Sequence, residues 1–265
     1  MMYVLAHLSD IHVGGPSAGS GERFSLAIDT INAMTRPVDR VLITGDLTHS
    51  SSSAEWSEFH ERLDALTIPW TAIAGNHDLP DGQFGGHRSM TDGPLRFVLV
   101  DSSTGQFDGD DAAWLDAELR AHPDDRTVVA LHHPPFETGI WWMDCNGIDG
   151  ADRFEQIVRA HPQVFQVLTG HLHRPIHTQW GACSLWVSPS TAVSIAFDLD
   201  PQHVPAESSE GPSFSLHAYT DSTVISHIVP VGASARRTPL EADSPDLLDQ
   251  FREIQSRRDS AFDRR

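Results

Sequence analysis

The sequence predicts an α/β protein, and three observations carry that expectation. Short apolar, β-rich runs recur along the chain and stop abruptly in polar residues. Amphipathic stretches of helical spacing lie between them, and the polar residues at the run ends are mostly Asp, Asn and His. Strands alternating with helices build an α/β sheet, and such sheets gather their ligands at the carboxyl ends of the strands.

Taken in order, Tyr3 to Leu8 leads into Ser9-Asp10-Ile11-His12, and Glu22 to Met34 follows with Phe24, Ile28 and Ile31 at helical spacing. Val41 to Thr44 runs into Gly45-Asp46, Ala54 to Leu66 carries Trp56, Phe59 and Leu63, and Trp70 to Ala74 ends in Gly75-Asn76-His77-Asp78. Asp110 to His122 holds Trp114, Leu115 and Leu119, with acids at its start that suit the positive end of the helix dipole. Thr127 to Leu131 enters His132-His133-Pro134-Pro135, where the prolines end the strand and stiffen the loop. Ala151 to His161 supplies Phe154, Ile157 and Val158, and Val164 to Thr169 ends in Gly170-His171-Leu172-His173. Beyond His173 the pattern turns to antiparallel hairpins, over His177 to Trp186 and from Ser213–Thr220 to Thr223–Pro230. Gln202 to Gly211 reads as a polar loop with little to bury. Leu247, Leu248, Phe251 and Ile254 have helical spacing, which suits a docking or dimerisation helix or a frayed tail. The expected organisation is a domain over 1–235 with a helical extension or flexible tail over 236–265.

Composition narrows the chemistry. The 265 residues include 37 acidic and 18 basic side chains, every basic one is arginine, and the formal net charge is -19. A chain without lysine has no P-loop lysine, forms no Schiff base and supports no Ser-Lys dyad. So acidic a chain is not a general nucleic-acid binder, which needs a basic stripe against the phosphate backbone. A small anion can still be held, provided that clustered Arg or a metal ion supplies local positive charge. No run reaches the roughly eighteen apolar residues of a membrane span. Met1 to His7 lacks the basic and longer apolar regions of a signal peptide, so the expected location is cytoplasmic. Cys145 and Cys183, without CxxC spacing, read as two unpaired, packed thiols.

A strand-end Asp or His taken singly is a turn or capping residue. Asp10, His12, Asp46, Asn76, His77, His132, His171 and His173 together put oxygen and imidazole donors at every strand end where a sheet of this class places its ligands. That donor set, without thiolate, suits Mn, Fe, Co or Zn and disfavours a Cys-type structural zinc site. On an extended segment Leu172 would turn into the core between His171 and His173.

Asp-x-His, Gly-Asp, Gly-Asn-His-Asp, a strand-end His and Gly-His-x-His, in this order over Asp10 to His173, resemble the calcineurin-like metallophosphoesterases. The resemblance implies a four-layer α/β/β/α sandwich of two mixed β-sheets, with a dinuclear metal site at the strand C-terminal ends. It implies that Asp10, His12 and His173 bind one divalent ion, Asn76, His132 and His171 the other, and that Asp46 bridges them. Two divalent ions against two carboxylates leave about two positive charges, the local charge a lysine-free chain must import. His77 would protonate the leaving group or stabilise transition-state charge, with a structural role as the alternative, and Asp78 would orient an imidazole.

Within that superfamily, His132-His133-Pro134-Pro135, Trp142-Met143-Asp144 and Gly170-His171-Leu172-His173-Arg174-Pro175 look most like the bacterial class III cyclic nucleotide phosphodiesterases and related glycerophosphodiesterases. His133 stands where the more widespread pattern has Gly. The implied reaction is in-line attack by a metal-bridging hydroxide on a small phosphodiester or nucleotide, first of all a 3′,5′-cyclic nucleotide such as cAMP. A glycerophosphodiesterase, or a broad phosphodiesterase and phosphomonoesterase, is the alternative. A noncatalytic binding scaffold is the reading from another class, and such a scaffold should have lost ligands that are all present here. A homodimer or higher homo-oligomer is open. Asn76 and His77 are expected to touch substrate. His133 is expected to point away from His132, and Arg174 either steers a phosphate or caps a loop. Of the two tryptophans Trp141 and Trp142, one is expected in the core and the other at the pocket as a stacking surface, a place given to Trp142.

Overall fold

A computed structural model of the chain describes residues 2–16, 19–78, 83–232 and 247–262. Met1–Ala235 forms one compact unit and Arg236–Arg265 a second.

The first unit begins with three parallel strands, β1 (Tyr3–Leu8), β2 (Arg40–Thr44) and β3 (Trp70–Ile73), joined by helices α1 (Ser20–Asn32) and α2 (Ser53–Leu63). A capping box starts α2: Ser52 accepts from the Glu55 N–H while the Glu55 carboxylate returns to the Ser52 N–H. A tight hairpin follows, β4 (Arg88–Asp92) with β5 (Leu95–Leu99), then α3 (Gly109–Ala121) and β6 (Thr127–Ala130). A single turn α4 (Trp141–Asp144) and α5 (Ala151–Ala160) lead to β7 (Val164–Thr169), and β8 (Ile176–Trp180) pairs with β9 (Cys183–Val187). The unit closes with a two-residue pair, β10 (Ser194–Ile195) on β11 (Glu207–Ser208), and the long hairpin β12 (Ser213–Tyr219) and β13 (Val224–Pro230).

Two mixed sheets result, ordered β13-β12-β1-β2-β3 and β4-β5-β6-β7-β9-β8. Side-chain alternation explains how they stack. Tyr3, Leu5, Leu42 and Ile73 from the first sheet meet Phe97, Leu99, Val128, Ala130 and Leu168 from the second in one apolar layer. The opposite faces are covered by helices: Val4, Ala6, Val41 and Ile43 pack with Phe24, Ile28 and Phe59, and Val98, Val129 and Val167 pack with Leu115, Leu119 and Phe154. Strands buried on both faces read as continuous apolar runs, and that is how β1, β2 and β6 stand in the sequence.

The four layers match the expected sandwich, with three local differences. The β4–β5 hairpin was absent from the expected elements, although Asp92-Gly93 before an apolar run is a hairpin turn signal. The segment read as a polar loop contributes β11. Cys183 is buried and free as expected, but Cys145 is free and exposed, so the two thiols are not both packed. In the second unit, α6 (Leu247–Phe262) presents exposed Phe251 and Ile254 and carries Arg252–Asp249 and Arg257–Glu253 ion pairs. Among the described residues, no helix is long and apolar enough to cross a membrane.

Candidate metal centre

The ligand-bearing loops begin where parallel strands end, and there the backbone leaves the extended region. Asp10, His12, Asp46, His171 and His173 all have positive φ, between 46° and 70°. Ser51 is the other non-glycine residue with positive φ among the described residues. This region is sterically costly for residues with a side chain and most accessible to Asp, Asn and His, and such strain collects at functional sites. Left-handed residues on either side bury Ile11 between Asp10 and His12, and Leu172 between His171 and His173. Leu172 therefore does enter the core, but through paired left-handed turns and not through the extended alternation expected.

Glycines let the loops close up. A Cβ on Gly45, at φ 93°, would lie 2.5 Å from His132 Nδ1 and 2.8 Å from the Gly75 Cα. The loops after β1 and β2 run side by side, with the Asp10 N–H donating to the Gly45 carbonyl at 3.1 Å and the His12 N–H to the Asp46 carbonyl at 2.9 Å.

Ligand atoms of Asp10, His12, Asp46 and His173 lie within 4.8 Å of one another, and so do those of His132, His133 and His171, and those of His12, His49 and His77. Asp46 stands between groups: its Oδ2 is 3.4 Å from His12 Nε2 and 3.5 Å from His132 Nε2. Asp10 Oδ1 is 3.4 Å from His173 Nε2, which lies 3.1 Å from His12 Nε2. Asn76 Oδ1 is 3.1 Å from His132 Nε2.

The partners of the rings fix their tautomers. His132 Nδ1 is 2.7 Å from the Thr44 carbonyl, His173 Nδ1 is 2.8 Å from the Val193 carbonyl, and His77 Nδ1 is 2.7 Å from the His49 carbonyl. A carbonyl only accepts, so each Nδ1 carries a proton, and each ring in its neutral form has its lone pair on Nε2. His12 Nδ1 and His171 Nε2 are buried and have no hydrogen-bond partner among the described residues. The orphaned His171 nitrogen, and the Nε2 atoms of His12, His132 and His173 set against the Asp46 and Asp10 carboxylates, are what two divalent cations would resolve, and the donor set fits them.

Electrostatics agree. Burial alone would raise the carboxyls, yet facing His173 and His132 draw Asp10 down to about 2, and His132, His12 and His77 hold Asp46 well below the usual carboxylate range. Burial lowers His132, but Asp46, Asp10 and the Thr44 carbonyl outweigh it and raise the ring to about 9. For His12 and His171 burial wins, giving about 3 and about 4. Without metal, a protonated His132 balances the buried carboxylates, and a bound cation would take over that charge as the proton leaves.

Asp78 corrects one expectation. Among the described residues its buried carboxylate orients no imidazole; it accepts at 3.0 Å from the N–H groups of Leu47, Thr48 and Gly75 and from the Thr48 hydroxyl. Asp78 thereby ties the loop after β2 to the loop after β3, and burial outweighs these bonds in raising its pKa.

With this geometry in place, comparison with known proteins identifies the lineage. A family model described as calcineurin-like phosphoesterase matches residues 3–175. The chain belongs to this family. It is 27% identical over 239 residues to the probable glycerophosphodiester phosphodiesterase GpdQ of Arcobacter nitrofigilis, covering 83% of this chain and 88% of the relative. It is 26% identical over 186 residues to the 3′,5′-cyclic adenosine monophosphate phosphodiesterase CpdA of Escherichia coli, covering 65% and 68%. In fold it is similar to a dimetal phosphatase from Danio rerio, with a TM-score of 0.63 and 12% identity, covering 87% of this chain and 99% of that one. Family and paired ligand clusters together support metal-dependent hydrolysis of phosphoric diesters.

The phosphoesterase cleft has a volume of about 760 Å³. His12, Asp46, Asn76, His77, His171 and His173 line its inner wall, and Asp10 and His132 are buried beneath it. The outer wall comes from Ser103 to Gln106 after β5, from α4, and from Pro205 to Glu207. Trp142 is part of it, half-buried, whereas Trp141 is exposed and Met143 fills the core place expected for a tryptophan. The Asp144 carboxylate holds α4 by accepting from the Thr138 N–H and hydroxyl and from the Gly139 N–H. Arg174 is not among the lining residues: it pairs with Glu210 at 2.7 Å, donates to the Ile195 carbonyl and stands over Phe197, closer to the loop-capping alternative than to phosphate steering.

His133 does not point away from the site. Its ring centre is 4.5 Å from that of His171 and 4.9 Å from that of His132, because strand alternation ends with β6 at Ala130. The sequence reading also missed His49, Ser102, Gln106 and Glu207. His49 follows Gly45-Asp46 by three residues without a motif of its own, and Ser102 sits just beyond the unrecognised β5.

Proposed function

We propose that the chain is a dimetal phosphodiesterase of small diesters, with 3′,5′-cyclic nucleotides such as cAMP the first substrates. The observation that carries this reading is the single carboxylate of Asp46 set between two imidazole groups at 3.4 and 3.5 Å. Asp10, His12 and His173 would hold one divalent ion and Asn76, His132 and His171 the other, with Asp46 shared and Mn, Fe, Zn or Co as the suitable metals. Such a pair, when bound, polarises phosphoryl oxygens and lowers the pKa of coordinated water.

The remaining work falls to the chain. His77, held through Nδ1 by the His49 carbonyl, turns Nε2 toward the cleft, and in its imidazolium form, with a second proton on Nε2, it would give that proton to the leaving oxygen. Asn76, with Oδ1 toward His132, keeps its amide N–H groups for a phosphoryl oxygen. Trp142 offers a face on which a base can stack. Glu207 on the same wall favours a second reading, a glycerophosphodiester whose head bears hydroxyls or an amine. The catalytic unit of this proposal is 1–235, in a cytoplasmic setting.

Protein loaded with Mn²⁺ and assayed on cAMP, a glycerophosphodiester, bis-(p-nitrophenyl) phosphate and a monoester, with elemental analysis alongside, tests the proposal. Diester turnover with two metal equivalents per chain is expected, with cAMP the preferred substrate. Two bound equivalents with every diester left intact would sink it.

A further inference from the structure

We propose that His133 is a further catalytic residue, whose Nε2–H donates a hydrogen bond to the phosphoryl group, in the tautomer opposite to that of His132 beside it. The inference starts at Ser102, whose buried hydroxyl oxygen has two lone pairs and one proton. The N–H groups of His132 and His133, each 3.1 Å away, donate to that oxygen and use both lone pairs. The third neighbour is His133 Nδ1 at 3.2 Å. With its lone pairs taken, the hydroxyl can only donate to Nδ1, and among the described residues nothing else accepts its proton. A neutral imidazole whose Nδ1 accepts carries its own proton on Nε2.

The adjacent histidines are thus set in opposite senses. The Thr44 carbonyl takes the Nδ1–H of His132 and leaves a lone pair on Nε2, whereas the Ser102 hydroxyl fills Nδ1 of His133 and leaves a donor on Nε2. A nitrogen that holds a proton has no lone pair for a metal, so the closeness of His133 to His132 and His171 does not make it a ligand. Its ring lines the cleft with Asp46, Asn76 and His171, and Nε2 has no protein partner among the described residues. An N–H on the cleft lining suits an anionic oxygen, and in phosphoryl transfer that is a nonbridging oxygen on which charge grows toward the transition state. Ser102 is then a positioning residue. This assignment rests on the phosphoesterase reading above.

The tautomer can be read directly in the full-length protein. Long-range ¹H–¹⁵N spectra of histidine-labelled protein, metal-free and loaded with Zn²⁺, should show His133 protonated at Nε2, with the assignment made by its loss in His133→Gln. Protonation at Nδ1, or Zn²⁺ ligation through Nε2, overturns the proposal. In the Mn²⁺ enzyme, His133→Ala should keep the wild-type metal content and lower kcat on bis-(p-nitrophenyl) phosphate on the order of 100-fold, with little change in KM. His133→Gln, whose amide puts an N–H near the position of Nε2, should restore most of that rate. Loss of a metal equivalent in His133→Ala, or a Gln variant as slow as the Ala variant, counts against it. Orthovanadate affinity separates the two proposals. If wild type turns over no diester, the functional reading fails, while weaker vanadate binding by His133→Ala but not His133→Gln still supports the donor and equal binding by both overturns it.

Discussion

The inner and outer walls of the cleft hold their residues in different ways. On the inner wall, His77, His132 and His173 are each fixed through Nδ1 by a main-chain carbonyl, and Asp10, His12, Asp46, His171 and His173 stand on left-handed backbone. The outer wall is looser: Trp142 is half-buried on a single helical turn, Glu207 is exposed, and Phe197, Leu199 and Val204 project nearby at 67%, 53% and 85% exposure. Geometry needed to place cations within tenths of an ångström is over-determined by backbone, whereas the wall that meets the organic part of a substrate can vary without disturbing the sandwich.

The sharpest way to break the contrast is at its most constrained residue. Asp46→Asn should lose metal and diesterase activity together, by roughly a thousandfold or more in rate. Elemental analysis and kinetics on the same sample check this, and a variant that keeps full activity would show that the carboxylate between the imidazoles is not essential. A scaffold on this fold should instead keep its partner after this change.

Asp78 tests whether the inner wall is held by backbone more than by its ligands. Asp78→Ala strands three N–H groups and the Thr48 hydroxyl, at a cost of about 3–5 kcal/mol. Urea unfolding of the metal-free protein measures it, and a loss under about 1 kcal/mol would mean that the loops after β2 and β3 hold without the carboxylate.

Behind the inner wall, burial lowers His7 to about 3, partly offset by Asp10, and burial together with His7 holds His217 well below its usual range. The unfolded chain binds protons at these rings first, so stability should fall as pH drops from 6.5 toward 3 and be unaffected by them above 6.5. Urea midpoints across that window should decline, less steeply in His217→Gln; a flat profile contradicts the buried neutral pair.

The smallest effects belong to the outer wall. Trp142→Ala should raise KM for a nucleotide diester by about five- to thirtyfold, about 1–2 kcal/mol of stacking, and leave kcat and metal content nearly unchanged. Arg174→Ala, whose guanidinium is taken up by Glu210, should change neither KM nor kcat by more than about twofold. A large KM change in Arg174→Ala would return that residue to the substrate.

Much of the inner wall was legible because its signal is local. Each ligand follows a short, β-rich apolar run that reads as a buried strand, and Gly45, Gly75 and Gly170 mark where loops must pass within van der Waals contact. The outer wall was not legible in this way. Gln106, Asn146 and Glu207 come from three separate segments without a shared spacing, and nothing in the chain near Arg174 announces Glu210. The expectation that His133 points away from His132 fails because β6 has already ended at Ala130, so neighbouring side chains no longer alternate there.

The sequence by itself determined the α/β alternation, the absence of lysine chemistry and the set of oxygen and imidazole donors, since these depend on residue type and on spacing along one segment. Tertiary structure alone decided which nitrogen of each ring faces the cleft, that Asp78 braces loops and that His133 faces the cleft while Arg174 turns to Glu210. Those outcomes depend on a carbonyl, a hydroxyl or a carboxylate supplied from another part of the chain, and a hydrogen-bond partner distant in sequence leaves no trace in local pattern.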